Sequence, residues 1–411
     1  MGNFIVGQSG GPSSVINSSL AGAFCAARDL GVDKIYGMRF GIQGFIKGMY
    51  VDLKEQITCD RDVEILKRTP AAFLGSCRYK LPAIDGNEEL YNDIFKKIDE
   101  LDIEVFCYNG GNDSMDTINK LNEYAKKIGW TKTKFMGIPK TIDNDLEFTD
   151  HTPGFGSAAK FIATMLKEVI TDGNALGFSK QQVIIMEIMG RNAGWLTAAA
   201  ALSKDSECEG PDLIYLPEVT FDLDAFKAKM KGLLEKKDVV VVAVSEGVKL
   251  ADGRFVCELG SASDFVDAFG HKQLSGTASA LANIVAADFG VKTRAIELST
   301  LQRCAAHISS KQDVTEAFAC GYAAVKAGYA GESGKMILID RLSKKGEPYA
   351  FGLSSHNICD IANAEKKVPL EWITEDGTYV SDEFISYARP LIEGELPPVM
   401  VNGIPSILKI K

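Results

Sequence analysis

Long apolar runs are missing from the sequence. The longest, Val239 to Val244, is strand-sized and far short of the ~18 residues that a membrane span needs, so no membrane partner is expected. Positive charge is in deficit. Lys and Arg number 45 against 55 Asp and Glu, a formal net charge of −10. A nucleic-acid partner calls for the opposite sign, and an anionic membrane surface repels such a chain. An anionic small substrate stays open, because a cationic cluster inside a cleft overrides net charge. Histidine is scarce, four in all, and no Cys/His spacing suits zinc. The nine cysteines are odd in number and sit inside strand and helix patterns, as Cys107 does within Ile103–Tyr108. A reduced set and a cytoplasmic setting are therefore expected. The strand pattern begins at once, at Phe4-Ile5-Val6, so no signal peptide is expected. Val6 stands where a myristoylation motif at Gly2 requires Ser or Thr. Low-complexity tracts, short repeats and Pro/Gly/Ser-rich linkers are also lacking.

What is present is an ordinary globular composition: 411 residues, 46% hydrophobic and 24% charged, enough for two or three domains. Short apolar runs without alternation recur at 4–6, 103–108, 183–188, 239–244 and 335–340. Such runs suit parallel strands buried on both faces. Helical stretches lie between them, so the expected class is α/β, in two doubly wound, mostly parallel, three-layer domains. The boundaries expected are 1–153 plus about 304–350, and 154–303 plus about 351–411.

Polar, glycine-rich loops follow the strands, where open parallel sheets bind ligands. Ser9-Gly10-Gly11 joins a strand to a helix start, a natural phosphate site. Asn109-Gly110-Gly111-Asn112-Asp113-Ser114 repeats that design. Lys140-Thr141-Ile142-Asp143-Asn144-Asp145 offers a carboxylate as general base beside an ammonium that can neutralise a phosphoryl group. Met189-Gly190-Arg191 brings a guanidinium suited to phosphate. Glu246 follows a buried strand and can accept hydrogen bonds from sugar hydroxyls. Arg294 and Arg303 can clamp a phosphate monoester. Taken singly, these also read as a tight turn, a helix cap, a solvated turn and surface ion pairs. Gly154–Ala159 fits the looser dinucleotide fingerprint but follows a polar loop, not a strand, and Gly331–Met336 lacks the Walker spacing.

The order of these loops, with Leu74-Gly75-Ser76-Cys77-Arg78 between the first two and Gln302-Arg303 after the last, resembles the phosphofructokinase family. The likeness covers roughly residues 4–340 and extends to the tail Tyr387–Ile392. It implies Mg²⁺-dependent phosphoryl transfer to O1 of fructose 6-phosphate. By that resemblance Asp143 is the base and Thr141, Ile142 and Asp145 shape its pocket. Met189, Gly190, Arg191, Glu246, Arg294, Thr300 and Arg303 meet the sugar phosphate, partly across a subunit interface, and Gly11 and Arg78 meet the donor. Asp113 and Lys140 stand where ATP-dependent members carry glycines, which resembles the pyrophosphate-dependent branch. Asp113 then repels the ATP α-phosphate, and Lys140 stabilises the leaving phosphate. An ATP-dependent enzyme and a noncatalytic regulatory subunit are the alternatives. The chain departs from the family at Asn112, an amide in place of a metal-associated aspartate, and at Thr300, which replaces His or Tyr. It departs also at Gln182, which replaces a cross-subunit arginine that Lys180, Lys272 or Arg389 would have to make good. A homodimer or homotetramer is implied.

Overall fold

The structure, a computed structural model, describes residues 1–176, 180–260 and 274–411. Its main strands, beside a small hairpin of Met400–Val401 and Ile404–Pro405, are β1 (Asn3–Gln8), β2 (Ile35–Met38), β3 (Tyr50–Asp52), β4 (Ile103–Gly110), β5 (Lys134–Pro139), β6 (Gln182–Ile188), β7 (Leu213–Tyr215), β8 (Val239–Ser245), β9 (Lys292–Glu297), β10 (Lys335–Arg341) and β11 (Phe351–Asn357). They form a seven-stranded sheet in the order β11-β10-β5-β4-β1-β2-β3 and a four-stranded sheet in the order β7-β8-β6-β9. The second sheet is parallel throughout. In the first, only β3 and β11 run antiparallel, one at each edge.

The unalternating apolar runs explain this arrangement. In β8, Val241 and Ala243 enter one core while Val240, Val242 and Val244 enter the opposite one. In β1, Phe4 and Val6 face one way and Ile5 the other. A strand coated on both faces belongs in the middle of an α/β sandwich. Among the described residues no helix is long and apolar enough to cross a membrane.

Residues 351–357, expected with the second domain, form β11, which pairs along all seven residues with β10 of the first sheet. The short connection 342–350 makes pairing with the sequence neighbour the economical outcome. The tail beyond it spans both sheets' cores. Phe384, Ala388 and Leu391 pack in the core of the smaller sheet, and Leu408 and Ile410 against that of the larger.

The helices Ile16–Asp29 and Lys311–Tyr329 cross in very close contact. A Cβ on Gly321 would lie 1.9 Å from the Ser19 carbonyl oxygen, and one on Gly22 would lie 2.0 Å from that of Phe318. Both positions therefore require glycine. Gly321→Ala is expected to lower unfolding free energy by about 1–3 kcal/mol through overpacking. Urea denaturation checks this, and an unchanged midpoint would refute the close crossing.

Candidate active site

Because the strands are parallel, the loops after β1, β4, β5, β6 and β8 emerge at the same sheet ends and line one cavity of about 570 Å³. Lys140, directly after β5, is only 4% exposed. Its ammonium donates to the Gly11 carbonyl oxygen of the loop after β1. Burial pushes its pKa down to about 8 against the pull of Asp143 and Asp145. The Thr141 hydroxyl donates to Asp143 Oδ2 (3.2 Å) and accepts from the Asp143 backbone N–H (3.1 Å). Burial raises the Asp143 pKa, with Lys140 opposing. Burial and then the Asp143 charge push Asp145 up to about 7.

Asn144, between the two carboxylates, is fully buried and takes φ 55°, a left-handed turn that asparagine tolerates. Its amide donates to the Tyr387 hydroxyl (2.9 Å), and its carbonyl accepts from Thr152 N–H (3.0 Å). The turn therefore sends the flanking carboxylates toward the cavity while asparagine is anchored behind it. The arrangement can take a proton from a hydroxyl at Asp143 while cations stand by for anionic charge.

Asp113 lies in the first turn of the helix Asn112–Lys127 and pairs with Lys80 at 2.8 Å. The Asn112 amide donates to the Ala364 carbonyl oxygen at 2.6 Å. A Cβ at Gly11 would stand 3.3 Å from Arg303 Nη1. Burial and then the Arg78 charge lower the Arg303 pKa, so these two guanidiniums share one region of the cavity. Across it, Glu246 Oε1 accepts from Gly190 N–H at 3.3 Å, and Gln302 Oε1 accepts from Met189 N–H at 3.3 Å. Burial pushes Glu246 up to about 7, with Asp143 adding to the shift. Gly247 packs so close that a Cβ would lie 2.0 Å from the Arg191 carbonyl oxygen, which fixes the turn after β8 against the turn after β6.

This geometry has counterparts. Residues 3–298 match the family described as Phosphofructokinase. The chain is 38% identical over 410 residues to the pyrophosphate–fructose 6-phosphate 1-phosphotransferase of Halomonas elongata, covering 99% of this chain and 96% of that protein. It is also 38% identical over 411 residues to the enzyme of the same name from Xanthomonas campestris pv. campestris, covering 100% and 96%. The crystal structure of a pyrophosphate-dependent phosphofructokinase from Nitrosospira multiformis superposes with a TM-score of 0.89 at 36% identity, covering 100% of this chain and 96% of that one. The chain belongs to the phosphofructokinase family.

This phosphofructokinase chain brings Gly11, Arg78, Asn112, Asp113, Lys140, Thr141, Ile142, Asp143, Asp145, Met189, Gly190, Arg191, Glu246 and Arg303 to one cavity. It does not bring Arg294 or Thr300 there. Arg294 is exposed on β9, the edge strand of the smaller sheet, and Thr300 is exposed just beyond it. Arg303 and Arg294 therefore do not form a clamp within one chain. Gln182 is buried and donates to the Gly173 carbonyl oxygen at 2.9 Å. Arg389 donates to the carbonyl oxygens of Leu202 (2.8 Å) and Lys204 (3.2 Å), away from the cavity. Lys180 is exposed and lines no part of it, while Lys272 lies outside the described residues. The fingerprint at Gly154 is absorbed otherwise. Asp313 accepts from the N–H groups of Gly154 (2.9 Å) and Ser157 (2.8 Å), so this helix start already holds its carboxylate.

Sequence reasoning missed Asn363, Ala364 and Glu365, which line the cavity too. Neither a strand run nor a glycine turn marks them. Two buried acceptors at the site, Oδ1 of Asn112 and Oδ1 of Asp145, have no partner, and no cluster of three His, Cys, Asp or Glu suited to a metal occurs among the described residues. Two oxygen donors without nitrogen or sulfur fit a hard cation such as Mg²⁺, which keeps waters and takes phosphate oxygens.

The raised Glu246 pKa carries a stability consequence. The unfolded chain releases this proton near 4.5 and the folded one near 7, so the folded state binds more protons between those values. Its contribution to stability is thus present below the window and lost as pH rises through it. Glu246→Gln should flatten the urea midpoint's dependence on pH between about 4.5 and 7. Parallel wild-type and variant curves would refute the assignment.

Proposed function

We propose that the protein transfers a phosphoryl group from pyrophosphate to O1 of fructose 6-phosphate, yielding fructose 1,6-bisphosphate and phosphate in a reversible reaction. The observation that carries this reading is a half-buried carboxylate, Asp143, that shares one cavity with the cationic groups Lys140, Arg78 and Arg303 and with the turn of Met189, Gly190 and Arg191 and the turn of Glu246. The names of the full-length relatives support the same substrates.

In this mechanism Asp143 takes the proton of the sugar 1-hydroxyl. The oxygen bonds to the terminal phosphorus, the bridging P–O bond breaks, and phosphate leaves with its electrons. Lys140, Arg78 and Arg303 balance the negative charge, because such a transfer depends on positioning and electrostatics more than on covalent chemistry. Asn112 and Asp145 would hold Mg²⁺, which when bound offsets charge on the phosphates. Asp113, fixed by Lys80, puts a carboxylate where a longer, nucleotide-bearing donor would bring further negative charge, and like charges in a shielded cleft select against it. Ile142 and Thr141 shape the base's pocket. Arg294 and Thr300, outside the chain's own cavity, would serve the 6-phosphate of a neighbouring subunit in a homodimer or homotetramer. The larger sheet carries the donor side and the smaller sheet the sugar side in this reading.

Incubation with fructose 6-phosphate, Mg²⁺ and either pyrophosphate or ATP tests the proposal. Product with pyrophosphate alone is expected. Product with ATP alone would overturn the donor assignment, and product with neither would favour a regulatory subunit. Asp143→Ala should lower turnover about 10²–10⁴-fold while binding stays measurable, and an unchanged rate would remove it from the mechanism. Asp113→Gly with Lys140→Gly should weaken pyrophosphate use in the same assay. Full retained activity would refute their role in donor choice.

A further inference from the structure

The segment Ala364–Val368 bonds to three of the segments around the cavity. On the donor side the Ala364 carbonyl oxygen accepts from the Asn112 amide at 2.6 Å. On the loop that carries Asp143, Lys366 N–H donates to the Asp145 carbonyl oxygen at 2.8 Å. The Lys366 ammonium donates to the carbonyl oxygens of Thr149 (3.0 Å) and Asp150 (2.9 Å). On the sugar side, Trp195 Nε1 donates to the Lys366 carbonyl oxygen at 3.0 Å, and the ammonium stands 5.3 Å from the centroid of the Trp195 ring. Glu218 Oε1 completes the connection by accepting from both Gly194 N–H (2.8 Å) and Val368 N–H (3.0 Å). Trp195 is only 3% exposed and lies four residues beyond Arg191.

We propose that Lys366 is a positioning residue for phosphoryl transfer: it staples the loop carrying Asp143 to the loop carrying Arg191 and so sets the separation of donor and acceptor. A hydrophobic side chain of this length would fill the space at lower desolvation cost. An ammonium instead supplies N–H donors to two carbonyls of one loop and a charge to the aromatic face of the other. Burial lowers the Lys366 pKa to about 8, while Asp150, Glu147 and Asp145 pull it up from the loop. Arg341 on β10 and His151 both bond Asp150, and Glu218 lies beside Val368 on the other wall. Tyr387 holds the Asp143 loop from behind, accepting from Asn144 and donating to the Asp150 carbonyl oxygen (2.8 Å), and its ring lies 5.5 Å from that of Trp195; Lys366 adds hydrogen bonds to both sides.

The consequence for rate follows from geometry, and this part rests on the reading of the cavity as a phosphoryl-transfer site. A displacement of ~1 Å at a reacting centre costs on the order of 10²-fold. Lys366→Met keeps the length of the side chain and removes its donors, while Lys366→Arg keeps both charge and donors. In the full-length protein, Lys366→Met should lower kcat about 10–100-fold with KM for both substrates within about threefold of wild type, and Lys366→Arg should recover part of the loss. Hydrogen–deuterium exchange gives a readout that needs no substrate. In Lys366→Met, amides of 143–150 and of 192–198 should exchange faster, with those of β1 and β4 unchanged. Wild-type turnover in Lys366→Met, a loss confined to KM, or unaltered exchange at either loop would overturn the proposal. Should Lys366→Met fail to fold, Trp195→Phe removes the indole donor and should lower kcat in the same sense, and wild-type kcat there would equally overturn it. If the wild type does not use pyrophosphate at all, the donor reading fails, and the exchange comparison decides the staple by itself.

Discussion

The burial of an ammonium beside two carboxylates is the constraint around which this molecule is arranged. Lys140, Asp143 and Asp145 share one loop, and each is moved from its ordinary protonation range mainly by loss of water. None of these charges is tolerable alone in such a place. The ammonium needs the Gly11 carbonyl, and Asp143 needs the Thr141 hydroxyl. The turn needs an asparagine in a left-handed conformation, itself bonded on two sides. Groups displaced this far from their resting pKa can exchange protons and take up anionic charge near neutral pH.

Behind the loop lies a second set of buried charges that share partners. His151 sits between Asp150 (2.8 Å) and Glu316 (2.7 Å), and Arg341 grips Asp150 through two nitrogens at 3.0 Å each. Burial disfavours the imidazolium, yet Glu316 and Asp150 hold its pKa up to about 9. The same pairing keeps the Asp150 carboxyl well below the usual carboxylate range despite burial. The base of the loop is thus pinned to β10 and to the helix Lys311–Tyr329, while its tip faces the cavity. Parallel topology does the rest by delivering the turns after β1, β4, β6 and β8 to the same side.

What was legible in the sequence is what local chemistry encodes. An apolar run without alternation marks a strand coated on both faces, and a cluster of Gly, Asn, Asp or Lys after it marks a turn at the strand's functional end. That logic points to Gly11, Asn112, Lys140, Asp143, Arg191 and Glu246, and with them to the α/β class. Their order along the chain carried the family resemblance, because order in a parallel sheet translates into position around one cleft.

Non-local closure decided the remainder. Nothing in the run Asn363–Lys366 shows that it will meet residues 112, 145 and 195, since its partners lie on segments far apart in the chain. No local pattern pairs His151 with Glu316, turns the glycines at 154 and 156 into a helix start held by Asp313, or sends residues 351–357 to the larger sheet. Arg294 and Arg303 look like one clamp because they are close in sequence, yet an exposed edge strand carries one away from the cavity while a short helix turns the other into it. By itself the sequence determined which residues stand at strand ends, because spacing and side-chain type settle that within a few residues. Only the tertiary structure decided which of them share a wall, because contacts between distant segments depend on how two sheets and a long C-terminal tail close on one another.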